Sequence, residues 1–164
     1  MSYNEPIRER EVREMKIAIA SDHGGYQYKE AIKKRLDELD IEYKDFGTHS
    51  SDSVDYPDYA RPVSEGVTSG AFDKGILVCG TGIGMSIAAN KVKGIRCALV
   101  HDVFTAQVTR RHNDSNVLAL GQRVIGEGLA LLIVETWLSN EYEGGRHQQR
   151  IDKITALETV NDRY

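Results

Sequence analysis

The sequence predicts an α/β domain of the doubly wound kind: three layers, with a five-stranded parallel sheet between helices. Two patterns predict it. Short β-rich apolar runs alternate with helical patterns five times, and glycine-rich turns follow the first and third of those runs. Strand–helix alternation within one domain requires parallel strands joined by crossover helices, and right-handed crossovers lay the helices on both faces of the sheet. Length is the third observation: 164 residues can bury one substantial core without disulfide or metal staples.

Each element has its own signal. Residues 1–14 alternate acids and arginines with no apolar period and read as a charged, flexible tail, which leaves residues 15–164 as one domain. Lys16 to Ala20 reads as a buried strand, and Tyr28, Ile32, Leu36 and Leu39 then recur at helical spacing. Glu42 to Phe46 is a second strand, ended by Gly47. Pro57 suits the first turn of a helix carrying Tyr59, Val63 and Val67. Gly75 to Cys79 forms a third strand, followed by a glycine loop and a helix over Met85 to Lys91. Ile95 to Val100 is the fourth strand, Val103 to Arg111 a helix, and Val117 to Leu120 the fifth strand. Gly126 to Leu138 is a strongly apolar helix, and Arg146 to Val160 is the last, with Ile151, Ile154, Leu157 and Val160 on one face. The expected strand order is 2-1-3-4-5, with a switch point between strands 1 and 3, where ligands bind at the carboxyl ends of the strands.

Composition narrows the function classes. A net charge of −4 argues against nucleic acid or a membrane surface as partner, although an anionic substrate can still find a locally basic pocket. No apolar run approaches the ~18–20 residues that span a bilayer, and the N-terminus lacks the apolar stretch of a secretory signal. Cys79 and Cys97 lie in different elements with no Cys-x-x-Cys or clustered Cys/His spacing, so no metal site is expected. Free thiols fit a reducing cytoplasm.

The switch point directs attention to Ser21–Gly25 and to Cys79-Gly-Thr-Gly-Ile-Gly84. Alternate glycines in the second loop let backbone N–H groups crowd toward an anion. A cysteine beside such an anion hole is a coherent base or nucleophile, against the plainer alternative of an inert buried thiol. Three known loop chemistries compete here, and each lacks a residue it needs, the cysteine phosphatase staying as a disfavoured third choice. A dinucleotide fingerprint needs a third glycine where Met85 or Ile87 stands, and no acidic residue follows about 20 positions on. A P-loop needs a lysine that Gly84-Met85-Ser86 lacks, and a cysteine phosphatase needs an arginine where Met85 stands.

Asp22 and His23 follow the first strand and should lie beside this loop, unless Asp22 only caps the next helix and His23 is a turn residue. Arg123 follows the fifth strand on the same edge. His112-Asn113-Asp114 precedes that strand and should emerge at the opposite edge, about 15 Å away. His112 is therefore either structural or serves the site of a neighbouring subunit. Arg146 and Arg150 are four apart on one helical face, with His147 beside them, where a helix start disfavours cations unless an anion binds. The apolar helix Leu129–Val134 suits a subunit interface.

Five motifs in order now carry a resemblance: Met15-Lys-Ile-Ala-Ile-Ala-Ser-Asp-His-Gly-Gly25, Asp55-Tyr-Pro-Asp-Tyr59, Cys79-Gly-Thr-Gly-Ile-Gly-Met-Ser-Ile-Ala-Ala-Asn-Lys91, Arg111-His-Asn-Asp114 and Glu143-Gly-Gly-Arg-His-Gln-Gln-Arg150. From about Met15 to the last helix, the chain resembles type B ribose-5-phosphate isomerases, a family that includes allose- and galactose-6-phosphate isomerases. The resemblance implies metal-free, cofactor-free interconversion of aldose and ketose phosphates of the pentose phosphate pathway through a cis-enediolate. Carried over by position, Cys79 removes the C2 proton, a task some relatives give to a glutamate elsewhere. Thr81 handles protons at the substrate oxygens, and amides from Gly80 through Gly82 and Ile83 to Gly84 hold the enediolate. Asp22 and His112 help open the furanose ring, with Asn113 positioning it, while His23, Arg123, Arg146 and Arg150 grip the phosphate. A homodimer, or a tetramer, with sites shared between subunits is implied. Allose 6-phosphate as substrate, and a non-catalytic domain that binds a sugar phosphate, stand as the alternatives.

Overall fold

The computed structural model describes residues 14–160, so the tail expected over residues 1–14 lies outside the described residues except for Glu14. Five strands, β1 (Lys16–Ser21), β2 (Glu42–Asp45), β3 (Lys74–Cys79), β4 (Cys97–Leu99) and β5 (Val117–Gly121), form one parallel sheet. The helices are α1 (Tyr26–Glu38), α2 (Pro57–Thr68), α3 (Ile83–Ala89), α4 (Val103–Asn113), α5 (Glu127–Leu138) and α6 (Gln148–Val160), with single 3₁₀ turns at His23–Gly25 and Gly145–His147.

Strand order departs from expectation at one edge. It is β2-β1-β3-β5-β4, not 2-1-3-4-5. The reason lies in the two strands themselves. Val117-Leu-Ala-Leu-Gly121 is buried throughout and takes an interior position, whereas β4 has three residues and leaves Leu99 39 % exposed, as an edge strand does. Placing β4 outside β5 sends the chain outward and then back. Right-handed crossovers then put α4 on the face opposite α3. Ile17, Ile19, Ile76, Val78, Leu118 and Leu120 accordingly pack on α1, α4 and α5 around Trp137. The alternate residues Ala18, Ala20, Leu77, Cys79, Val117 and Ala119 pack on α2 and α3 through Val63, Met85 and Ala89. This alternation is the two-residue period of a strand buried on both faces.

Smaller shifts follow local chemistry. α3 begins at Ile83, directly after Gly82, rather than at Met85. Arg146 belongs to the 3₁₀ turn before α6, not to the helix itself, because Gly144 and Gly145 both adopt positive φ. Pro57 opens α2 as expected. α5 buries Ala130, Ile133, Val134, Trp137 and Leu138 but leaves Leu129 37 % and Leu132 49 % exposed, so among the described residues apolar side chains stand on its outer face. No helix among the described residues is long and apolar enough to cross a membrane.

Candidate active site

β3 delivers Cys79 buried to the carboxyl edge of the sheet. The chain then turns sharply, and Gly82 adopts the left-handed conformation (φ 76°) that L-residues avoid. This turn aims the Gly82 N–H at Cys79 Sγ, 3.0 Å away, so the buried sulfur accepts a backbone hydrogen bond. The Ile83 N–H donates to Thr81 Oγ1 at 3.3 Å, and Thr81 is exposed. Arg123 lies across the loop: its Nη1 is 3.2 Å from where a Cβ on Gly80 would stand, and its own N–H donates to Gly80 O at 2.9 Å. The second cysteine contrasts with the first. Burial pushes the Cys97 thiol up to about 12, which disfavours its thiolate.

The β1 turn closes on the same loop. Asp22 is buried; its N–H donates to Val78 O at 3.2 Å and its Oδ1 accepts from the Gly25 N–H at 3.1 Å. A Cβ on Gly25 would stand 2.4 Å from Val78 C and O, so only glycine lets this turn reach β3. One on Gly24 would be 3.1 Å from Gly80 N and 3.3 Å from Asp22 Oδ1, which measures how near the Asp22 carboxylate comes to the glycine loop. His23 Nδ1 accepts from the Val54 N–H at 3.2 Å, which leaves Nε2 as the donor, with no hydrogen-bond partner among the described residues.

That contact introduces a segment for which the sequence reading gave no role. After β2 the chain follows the end of β1, with Ser21 N–H donating to Gly47 O and Thr48 N–H to Ser21 O, both 2.7 Å. The fully buried Lys29 anchors its base by donating to Asp45 Oδ2 at 2.6 Å, while Lys33 adds a second ion pair at 2.8 Å. Burial works to raise the Asp45 carboxyl, but the bonds from Lys29 and Lys33 outweigh it and hold the group below the usual carboxylate range. Further along, the Tyr56 ring lies 2.6 Å from the Cβ position of Gly84 and so walls the glycine loop. Tyr56 stands inside the Asp-Tyr-Pro motif, but only the fold reveals which loop it meets.

The remaining candidates gather elsewhere. His112 and Asn113 end α4, and with Arg146, His147, Arg150, Ile151 and Ile154 they line a cleft of about 400 Å³. The His112 and His147 rings stack at 4.2 Å with planes 12° apart. Glu143 joins them: its Oε2 is 3.7 Å from each Nε2, and Arg111 pairs with its other oxygen. Burial, then the neighbouring His112 and Arg146, lower the His147 imidazole below its usual range. His112, Glu143 and His147 place three ligating atoms within 4.8 Å of one another, enough in number for a divalent cation. Their field favours the opposite charge, because Arg111 compensates Glu143 and Arg146 and Arg150 line the same cleft.

The structure therefore brings Cys79, Gly80, Thr81, Gly82, Ile83, Gly84, Asp22, His23 and Arg123 together at one sheet edge. His112, Asn113, Arg146 and Arg150 meet at the other. Gly75 N–H donates to Asn116 O where β3 begins, just after the α4 end, and β3 then runs about 16 Å to Cys79. Within one chain the two clusters do not meet.

Comparison with known proteins fits this geometry. A ribose-5-phosphate isomerase B of Escherichia coli (strain K12) is 52% identical over 143 residues, covering 87% of this chain and 96% of its own. The structure of ribose-5-phosphate isomerase B from Clostridium thermocellum superposes with a TM-score of 0.89 at 54% identity, covering 90% of this chain and 99% of that one. That of Mycoplasma genitalium, which holds bound ribulose 5-phosphate, gives 0.86 at 42% identity over 89% of this chain and 97% of its own. The family model described as ribose/galactose isomerase matches residues 17–154, and the chain belongs to that family.

Proposed function

We propose that this chain interconverts ribose 5-phosphate and ribulose 5-phosphate, with Cys79 as the base. The observation that carries the chemistry is the buried sulfur facing the Gly82 N–H beside a row of backbone amides. A thiolate so placed takes the proton from C2 of the open-chain aldose while the C1 carbonyl oxygen gains charge. Return of a proton to C1, with loss of the proton on the C2 hydroxyl, yields the ketose. The amides from Gly80 to Gly84 hold the enediolate oxygens, and the exposed Thr81 hydroxyl moves protons between them. A positioned base contributes about 10²–10⁴-fold and each oxyanion donor about 10²–10³-fold, and the proposed route draws on these groups without a metal.

Ring opening and phosphate binding fall to groups on both sheet edges. Asp22, at the glycine loop, and His112, oriented by Glu143 and positioned beside Asn113, act on the furanose. The Nε2 donor of His23 and the guanidinium groups of Arg123, Arg146 and Arg150 take the phosphate, which anchors the flexible sugar remote from its reacting carbons. Because the edges are too far apart within one chain, the working site is composite: His112, Asn113, Arg146 and Arg150 come from a second copy, in a homodimer. The cytoplasm, where both thiols stay reduced, is its compartment.

The test is ribulose 5-phosphate formation from ribose 5-phosphate in EDTA, with allose 6-phosphate run alongside and Cys79→Ala as the control. Turnover in chelator that favours ribose 5-phosphate and disappears in Cys79→Ala supports the proposal. A wild-type preference for the hexose phosphate corrects the substrate, and a Cys79→Ala protein of equal activity removes the base.

A further inference from the structure

His101 has no part in the chemistry above, yet it touches the frame of the site. β4 ends at Leu99, and the Val100 N–H donates to Ala119 O at 3.1 Å as the last backbone rung toward β5. One rung further on, the Gly121 N–H donates to a side chain, His101 Nε2, at 3.1 Å. Gly121 is the β5 residue in register with Cys79. It packs so closely on the glycine loop that a Cβ there would stand 2.6 Å from the Thr81 carbonyl carbon. The next two residues continue the contact, with Gln122 and Arg123 donating N–H to Cys79 O and Gly80 O, both at 2.9 Å. One imidazole thus ends the β4–β5 ladder at the point where β5 supports the Cys79 loop.

We propose that His101 is a positioning residue of the isomerase: by accepting at Nε2 from Gly121 it holds the end of β5, and through it the Cys79–Thr81 backbone and Arg123, in working register. The role in turnover rests on the isomerase reading. Only the imidazole with a free Nε2 lone pair can accept this bond; the imidazolium presents an N–H to another N–H. Burial lowers the ring below its usual range, against the opposing pull of Asp102, so the acceptor form prevails at neutral pH. The sign follows: the support is present at neutral pH and is lost as pH falls through that lowered value. Among the described residues the charge that acts on the ring is Asp102, whose carboxylate is tied to the Thr105 N–H and hydroxyl at 2.7 Å each, and α4 opens with the uncharged Val103 and Phe104.

Wild type, His101→Ala and His101→Gln are compared as the assembled enzyme. Glutamine can place an amide oxygen near the position of Nε2 and does not titrate. His101→Ala is expected to lose about 5- to 10-fold in kcat at pH 7.5, the worth of one hydrogen bond, with KM for ribose 5-phosphate changed less. His101→Gln should recover most of that loss. On acidification to pH 5.5 it should also decline less steeply than wild type, having one fewer titrating group. A second readout needs no turnover. The Gly121 and Thr81 amide resonances of the wild type should titrate with the midpoint of the His101 ring, and should lose that titration in His101→Gln. Amides that ignore the His101 midpoint, or superimposable pH–rate profiles for wild type and His101→Gln, overturn the inference. If the amides follow His101 but ribose 5-phosphate is not turned over, the positioning stands and the isomerase reading is the one that fails.

Discussion

Substituting Gly82 by alanine tests the central claim about the site, that its anion hole depends on a backbone only glycine can adopt. At φ 76° an L-residue is disfavoured by about 1–2 kcal/mol. Space is the second cost. The new methyl would stand 2.5 Å from Leu99 Cδ1, which can swing aside, but also 2.9 and 3.0 Å from the carbonyl carbon and oxygen of Leu120, which belong to the buried β5 backbone. Overpacking of this kind costs about 1–3 kcal/mol, for a total of about 2–5 kcal/mol. If the loop stays in place, the loss appears as stability, and at about 2–4 °C per kcal/mol the Tm falls by about 4–20 °C. If the loop moves instead, the Gly82 N–H leaves Cys79 Sγ, and kcat/KM should fall by about 10²-fold, as when an oxyanion donor is removed. Gly128→Ala is the matched control: among the described residues nothing beyond its own helix and chain neighbours lies within 4 Å of its Cβ position near the start of α5, and the same methyl should be neutral or stabilise by up to about 1 kcal/mol. Thermal melts at fixed protein concentration and steady-state rates on both variants decide the matter. A Gly82→Ala protein that matches wild type in both Tm and kcat/KM would refute the reasoning.

Three further outcomes are expected. Iodoacetamide should inactivate the protein by labelling Cys79 and spare Cys97, whose thiol is pushed up to about 12; peptide mapping that finds the label on Cys97 would contradict the contrast between them. Mixing Cys79→Ala with His112→Ala under conditions of subunit exchange should restore activity, since some sites then contain both intact residues, and demonstrated exchange without recovery would count against a composite site. Lys74, buried against Trp137 with its ammonium 5.3 Å from the ring centroid, is pushed by burial, and then by Arg110, down to about 7. Between that value and 10.5 the unfolded chain binds the extra proton, so wild-type stability should rise with pH across this window. Lys74→Met should flatten that rise in urea unfolding at pH 6.5, 8 and 9, and parallel curves for the two proteins would show that Lys74 does not titrate there.

Much of this architecture was legible because it depends on periodicity. Buried strands and amphipathic helices write their faces into the sequence, and Ile17, Ile19 and Ile76 could be assigned to a core without coordinates. The order of β4 and β5 could not be read the same way. Both runs are apolar, and only the accessible Leu99 beside the fully buried Val117–Gly121 shows which one is the edge. At the site, Cys79 and its glycines were readable because a turn that crowds amides inward needs residues without Cβ. Tyr56 and His101 were not, since each acts by a tertiary contact, one through its ring on Gly84 and the other through Nε2 on Gly121. The opposite placement of His112 followed from topology alone: a residue before a parallel strand emerges at the amino edge, whatever its chemistry.

That last point explains why the proposed enzyme would divide its site. A parallel sheet has unlike ends. Its carboxyl edge offers turns whose amides point outward, suited to a developing oxyanion, and here it holds Cys79, Asp22 and His23. The amino edge has no such amides, and this chain supplies cations there as side chains, Arg146 and Arg150 beside the stacked His112 and His147. Apolar residues beside each half show how a second copy could join them. Ile83 and Ile87 on α3 and Phe104 on α4 are 51, 57 and 71 % exposed near the Cys79 loop, while Ile154 and Leu157 on α6 are 46 and 64 % exposed near the arginines. Apolar surface of this kind is unfavourable in water and favourable in an interface. Burying one set against the other would carry the arginine-bearing segment toward a partner's thiol, so the association that hides the apolar surface would also complete the site.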